Sequence, residues 1–227
     1  MINFQEGYVL LIDKPYAWTS TDVVRKVKIL LRNRAGIKKI KVGHAGTLDP
    51  LATGLLIVCT GKATKNIESI QSGEKEYIAE ICLGATTPSF DLETEIDSRY
   101  PVEHINESLI KSVFPAFFGK QEQIPPLFSA KLIDGKRAYE YARTGKAPEM
   151  KPANIEIYSL ELLDYTAPIA RIKINCSKGT YIRSFARDLG IALQSGGHLS
   201  KLRRTKSGEY DVNNALTVKD VEFLIEN

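Results

Sequence analysis

One carboxylate, Asp49, stands in the segment Gly43-His44-Ala45-Gly46-Thr47-Leu48-Asp49-Pro50-Leu51-Ala52-Thr53-Gly54, directly ahead of a strongly apolar run. The ring of Pro50 clashes with a helical backbone at the residue before it, which drives Asp49 to an extended or turn conformation. Gly43, Gly46 and Gly54 let the chain bend and let a ligand approach closely. Such a mounting suits a reactive acid. It suits equally an Asp-Pro turn whose carboxylate accepts from a nearby amide, and the segment alone leaves both readings standing. His44 adds either a hydrogen-bonding ring or a helper at the same site.

A second constellation runs from Cys176 through Ser177-Lys178-Gly179-Thr180-Tyr181-Ile182-Arg183 to Gly190. It reads as a strand, a glycine turn and a helix start, where free backbone amides reinforced by Lys178 suit a phosphate. Arg183 in the first turn can pair with a buried carboxylate and hold it ionised, or pair with Asp188 or solvent. Tyr77 heads an alternating strand and is either core filler or a stacking platform for a planar ligand. Gly61-Lys62 hints at a phosphate loop, but Ala63 holds the position that needs Ser or Thr.

These residues need elements to hold them. Tyr8 to Ile12 reads as a strand ended by Asp13-Lys14-Pro15, and Leu55 to Cys59 as a buried strand. Thr19 or Ser20 caps a helix whose Val23, Val24, Val27, Leu30 and Leu31 recur at helical spacing. Glu76 to Gly84 alternates with Tyr77, Ala79, Ile81 and Leu83 on one side. Asn106 caps a helix that Pro115 ends. Ile155 to Leu163 and Ile169 to Cys176 form a strand pair, a helix opens at Thr180 and Gly196-Gly197 closes it. A last helix spans Val218 to Ile225 behind Thr217. Gly119 to Lys136 is Pro-rich and aperiodic, the mark of a mobile or substrate-facing loop. Strands and helices do not alternate regularly, which favours an α+β fold with a mixed sheet over a doubly wound one.

With 227 residues and 43% hydrophobic content the chain can bury a substantial core. Cys59, Cys82 and Cys176 lie far apart, without disulfide or zinc spacing, and no metal site is expected. No apolar stretch reaches membrane-spanning length, and the start of the chain lacks a signal pattern, so a cytoplasmic protein is expected. Eight basic and no acidic residues lie between Val23 and Leu48; nine basic residues and Asp188 alone lie between Arg171 and Lys206. Two such segments are the footprint of a polyanion partner if they converge, and a solvated surface if they do not.

Together these segments resemble the TruB family of tRNA pseudouridine-55 synthases, from about Tyr8 to Tyr210. Asp13-Lys14-Pro15 with Thr19-Ser20 and Asp22 is similar to its N-terminal signature, and Gly43 to Gly54 to the loop bearing its catalytic aspartate. Lys75-Glu76-Tyr77-Ile78-Ala79 resembles the strand of its active-site tyrosine. Gln123-Ile124-Pro125-Pro126 through Ser129-Ala130-Lys131, then Gly135 to Glu140, resembles the next block. Cys176 to Gly190, with His198-Leu199 and Leu202-Arg203-Arg204, resembles the last.

The resemblance implies a pseudouridine synthase catalytic fold, a largely antiparallel central sheet flanked by helices and loops, over residues 1–210. Residues 211–227 are expected to be a short helical tail, not a complete PUA domain. The sequence shows no heptad or large apolar stripe and no membrane-spanning stretch, so a monomer without a membrane partner is expected. The resemblance implies an enzyme that acts on a uridine in the T arm of tRNA, with no cofactor. Asp49 becomes nucleophile or base, Arg183 keeps it charged, and Tyr77 stacks on the flipped uracil. Tyr181 and Leu202 line the pocket, His44 fills the space left in the RNA, and Lys14 and Lys178 bind substrate. A non-catalytic RNA-folding module on the same scaffold is the alternative, and a sugar glycosidase lacks a second placed acid. Ala17 stands where the family has Gly, so that turn is expected to differ. Pro88-Ser89-Phe90-Asp91 keeps the family's Asp, and Thr94 replaces a common Gly.

Overall fold

The computed structural model describes residues 2–129, 131–133, 135–144 and 148–226. Ala130, in the expected Ser129-Ala130-Lys131 block, lies outside them. In chain order the main elements are β1 (Tyr8–Lys14), α1 (Ser20–Asn33), β2 (Val42–Ala45), β3 (Ala52–Thr60), α2 (Ile67–Ser72), β4 (Lys75–Leu83), α3 (Glu107–Val113), β5 (Gly119–Gln123), α4 (Ala138–Arg143), β6 (Ala153–Thr166), β7 (Ile169–Cys176), α5 (Ile182–Ala192), β8 (Gly197–Ser207) and α6 (Val218–Glu226). They build two compact units, Met1–Ile78 with Leu202–Asn227, and Ala79–Lys201, so that β4 and β8 each contribute to both.

In the first unit β3 is the central strand. Its run Leu55-Leu56-Ile57-Val58-Cys59 is fully buried, as a continuous apolar strand covered on both faces must be. β1 pairs with it antiparallel from Tyr8 opposite Thr60 to Lys14 opposite Gly54. On the other edge β2 pairs antiparallel with its far end, Val42 opposite Thr60, and β8 pairs parallel with its start, Leu202 opposite Ala52. Gly54 permits that approach: at φ 99° a Cβ there would lie 2.3 Å from the Arg204 carbonyl. Ala45, Leu55, Ile57 and Cys59 form one core cluster under Val9, Leu11, Ile67 and Ile70.

Helix α1 starts with a capping box. Asp22 N donates to Thr19 Oγ1 at 3.0 Å and Thr19 N to Asp22 Oδ2 at 3.0 Å. Its buried face is Val23, Val24, Val27, Leu30 and Leu31. Helix α6 packs in the same unit, with Lys26 3.4 Å from Glu222. Just before α1, Ala17 has φ 62°. That is a left-handed backbone, which costs an L-residue about 1–2 kcal/mol.

In the second unit the strand order is β8-β4-β7-β6-β5. β6 pairs antiparallel with β7 and with β5, whose Gln123 lies opposite Ala153. Gly119–Gln123, expected within an aperiodic loop, is therefore a paired strand. α3 is capped by Asn106, whose side chain accepts from Leu109 N at 3.0 Å. Helix α5 starts one residue later than expected: the Thr180 hydroxyl donates to Ser177 O at 2.9 Å, and Tyr181 is the N-cap.

Candidate active site

Asp49 sits on the connection between β2 and β3, half-buried. Three buried side chains fix that connection. Ser20, at the start of α1, both donates to Leu48 O at 3.0 Å and accepts from Leu48 N at 2.9 Å. Lys14, at the end of β1, donates to Pro50 O at 3.2 Å, Trp18 O at 2.6 Å and Pro15 O at 3.0 Å. Arg204 on β8 donates from Nε to Leu55 O at 2.8 Å and from Nη2 to Gly46 O at 3.1 Å. Lys14 is 0% exposed and Arg204 1%. Burial lowers Lys14 from its usual 10.5 to about 8, against the opposing pull of the Asp49 charge.

His44 lies on β2 opposite Val58. Burial and then the Arg204 charge push its pKa below the usual value, against a hydrogen bond with the Gly46 backbone that raises it. The ring is therefore neutral near pH 7. Tyr77 is buried on the inward face of β4 with Ala79, Ile81 and Leu83 following on the same face. Leu202 is buried on β8 opposite Ala52, where the Asp49 connection enters β3, and its carbonyl accepts from Thr53 Oγ1 at 3.3 Å. Asp13 and Arg203 join over this edge in two parallel bonds of 2.9 and 2.7 Å.

In the second unit Arg183 points inward, 3% exposed, with Nε 3.6 Å from Oδ2 of Asp91, itself 4% exposed. Its Nη1 donates to Phe128 O at 2.8 Å. Asp188, the neighbour considered for Arg183, pairs instead with Arg187 at 2.7 Å. The Asp91 turn is closed by Thr87 and Ser89, whose hydroxyls donate to Asp91 O at 2.6 and 3.1 Å. Thr94 reinforces it by accepting from Ser89 N at 3.1 Å, so this departure from Gly has a structural use. Gln123 clamps the half-buried Tyr181 through both amide atoms: Nε2 donates to Tyr181 O at 3.1 Å and Oε1 accepts from Tyr181 N at 2.8 Å. Ser184 Oγ donates to Ile124 O at 2.8 Å. Lys178 is exposed in the turn ahead of α5.

Asp91, Gln123 and Arg204 had no assigned role in the sequence reading. The Pro88-Ser89-Phe90-Asp91 segment shows Asp91 in the sequence only as a residue shared with the family, because its partner Arg183 lies far along the chain. The second basic segment also reads differently in three dimensions. Arg183 and Arg204 are buried, and Lys173, Arg187, Lys201, Arg203 and Lys206 face Glu161, Asp188, Glu80, Asp13 and Asp211 at 2.7–3.9 Å. That segment is largely neutralised by its own fold. Among the described residues no three His, Cys, Asp or Glu side chains gather as a metal site, and no helix is long and apolar enough to cross a membrane.

Comparison with known proteins places the chain in a family. The sequence matches the TruB family pseudouridylate synthase (N terminal domain) over residues 32–182 and the tRNA pseudouridylate synthase B C-terminal domain over residues 183–226. It is 55% identical to tRNA pseudouridine synthase B of Phocaeicola vulgatus, over 96% of this chain and 93% of that protein. With the same enzyme of Flavobacterium johnsoniae it shares 53% identity over 95% of each chain. Among solved structures it resembles a chain of a Cbf5-Nop10-Gar1 complex, at 30% identity and TM-score 0.73, covering 97% of this chain and 55% of that one. An H/ACA RNP bound to a substrate RNA containing 2'-deoxyuridine gives 27% identity and TM-score 0.70, covering 97% and 54%. The chain thus spans about half the length of these two solved relatives.

Proposed function

The chain belongs to the TruB family and is a pseudouridine synthase acting on tRNA; we propose that its target is the uridine at position 55, in the T arm, and that Asp49 starts the reaction. The isomerisation breaks the N1–C1′ bond, turns the base and joins C5 to C1′. The C5 proton leaves and N1 gains one, so the atoms balance without a cofactor. Asp49 acts as the nucleophile or as the base in an elimination route, both within reach of an ionised carboxylate.

The observation that carries this reading is the fixing of the Asp49 connection at Gly46, Leu48 and Pro50 by Arg204, Ser20 and Lys14. Reaction at a bound sugar or base requires near-attack geometry, and misplacement by about 1 Å can cost ~100-fold in rate. A turn that merely reverses the chain needs no such bracing. Lys14 acts through the loop, since its ammonium is committed to three carbonyls. Tyr77 stacks on the uracil, worth roughly 1–3 kcal/mol per base. Tyr181 and Leu202 complete the apolar lining, and neutral His44 fills the space the flipped nucleotide leaves. Arg183 is the cation of the reaction, oriented by Asp91, and Lys178 meets RNA phosphate. The enzyme works as a cytoplasmic monomer.

Transcripts with and without a T-arm uridine at position 55 test the target. The enzyme should form pseudouridine in the first and none in a transcript carrying cytidine there. An equal yield in both would refute the assignment.

A further inference from the structure

We propose that the solvent face of α1 and the segment following it form a separate binding site for phosphates of the tRNA backbone, remote from the Asp49 connection. The proposal rests on the tRNA reading above and adds to it a second anchoring region.

A cavity of about 220 Å³ is lined by Arg25, Lys28, Arg32 and Lys38 around Ile37 and Ile40. A second, of about 300 Å³, shares Ile40 and is bordered by Lys39, Lys41, Lys62 and Lys65. Both have a basic rim, and the first an apolar floor of Ile29, Ile37 and Ile40, the arrangement in which lysine and arginine stems cover apolar surface and hold their charges outward. Arg25 is paired with Asp22 and Lys62 with Glu6, each at the exposed surface. Among the described residues no carboxylate pairs with Lys28, Arg32, Lys38, Lys39, Lys41 or Lys65. These charges are left for an external anion. In the second basic segment, by contrast, Lys173, Arg187, Lys201, Arg203 and Lys206 each face a carboxylate of the fold.

Position separates this surface from the catalytic loop. Ser20 touches Leu48, and at 1.5 Å per helical residue Arg32 lies roughly 18 Å further along α1. β3 leaves the Asp49 connection at Ala52 and reaches Gly61, on the second cavity, after roughly 30 Å of extended chain. Two elements thus carry the basic rim away from the target nucleotide. A row of phosphates along a nucleic-acid strand fits both the shape and the sign, while a single small anion would leave most of the charges unused.

The test is tRNA binding across a salt series by Lys28→Glu/Arg32→Glu/Lys38→Glu, and by the milder Lys28→Gln/Arg32→Gln/Lys38→Gln should the first fail to fold. The Kd for full-length tRNA should rise about tenfold or more, and the slope of log K against log salt should fall by about 2–3, one counterion or so per lost contact. The Kd for a minimal hairpin carrying the target uridine should stay within about twofold, because this surface is assigned to phosphates beyond the hairpin. Unchanged Kd and slope for tRNA would overturn the proposal, as would equal weakening on the hairpin. Pseudouridine formed in the same tRNA by the wild-type enzyme tests the parent reading independently, so the two failures are distinguishable.

Discussion

Replacing Lys14 by Met removes the charge while keeping most of the side-chain volume. The three carbonyls of Pro15, Trp18 and Pro50 then lose their donor in a site closed to water. Each buried acceptor left unsatisfied costs about 1–3 kcal/mol, so the gross loss is roughly 3–9 kcal/mol. Against this, the lysine itself is penalised: a drop from 10.5 to about 8, at ~1.4 kcal/mol per unit, is roughly 3.4 kcal/mol of burial cost that Met does not carry. The difference is a net destabilisation of about 0–6 kcal/mol, centred near 3, read as a lower urea midpoint with an unchanged slope. Activity should fall further than stability alone explains, because Pro50 is next to Asp49.

The same lysine predicts a pH effect whose two parts have opposite signs. Its folded pKa, about 8, lies below its unfolded value of 10.5. The unfolded chain therefore binds more protons between those values, and the Lys14 contribution to stability rises with pH across that window. Activity should do the reverse. Above about pH 8 the neutral amine has two N–H donors for three carbonyls and no longer faces Asp49 with a positive charge. Single-turnover rates from pH 6 to 10 should fall through an apparent pKa near 8 while the urea midpoint does not fall with them. A flat profile to pH 10, or a Lys14→Met enzyme matching the wild type in rate and midpoint, would refute the reasoning.

Asp91→Asn removes the negative partner from a buried ion pair, which should cost about 3 kcal/mol or more by denaturant titration and lower kcat along with it. Gln123→Leu keeps the size but strips both amide bonds from the Tyr181 backbone, an expected loss of roughly 2–4 kcal/mol in the urea midpoint. Ala17→Gly relieves a left-handed alanine at the cost of a more flexible unfolded chain, for a net gain of about 0.5–1 kcal/mol in thermal or urea unfolding.

The elements legible in the sequence were those whose burial is apolar and periodic. Helix α1 buries all five residues at the expected spacing, and β4 alternates from Tyr77 to Leu83 as its pattern required. β8 escaped because its buried positions include His198, Arg204 and Ser207, so the strand carries no hydrophobic period. β2, four residues long with a glycine and a histidine, carries none either. The same blindness hid the bracing of the Asp49 connection. Lys14 and Arg204 look in sequence like surface cations for an RNA partner, yet both are buried donors to backbone carbonyls that only the folded chain brings within reach. Asp49 itself was visible from the glycines and the proline around it, whereas Asp91 needed the fold to place Arg183 beside it.

The most direct test of the account compares wild type with Asp49→Asn on one tRNA transcript, measuring tRNA affinity and mapping pseudouridine at the T-arm position after prolonged incubation. The account predicts product with the wild type, none with Asp49→Asn, and similar affinity for both. Pseudouridine formed equally well by the two proteins would contradict it.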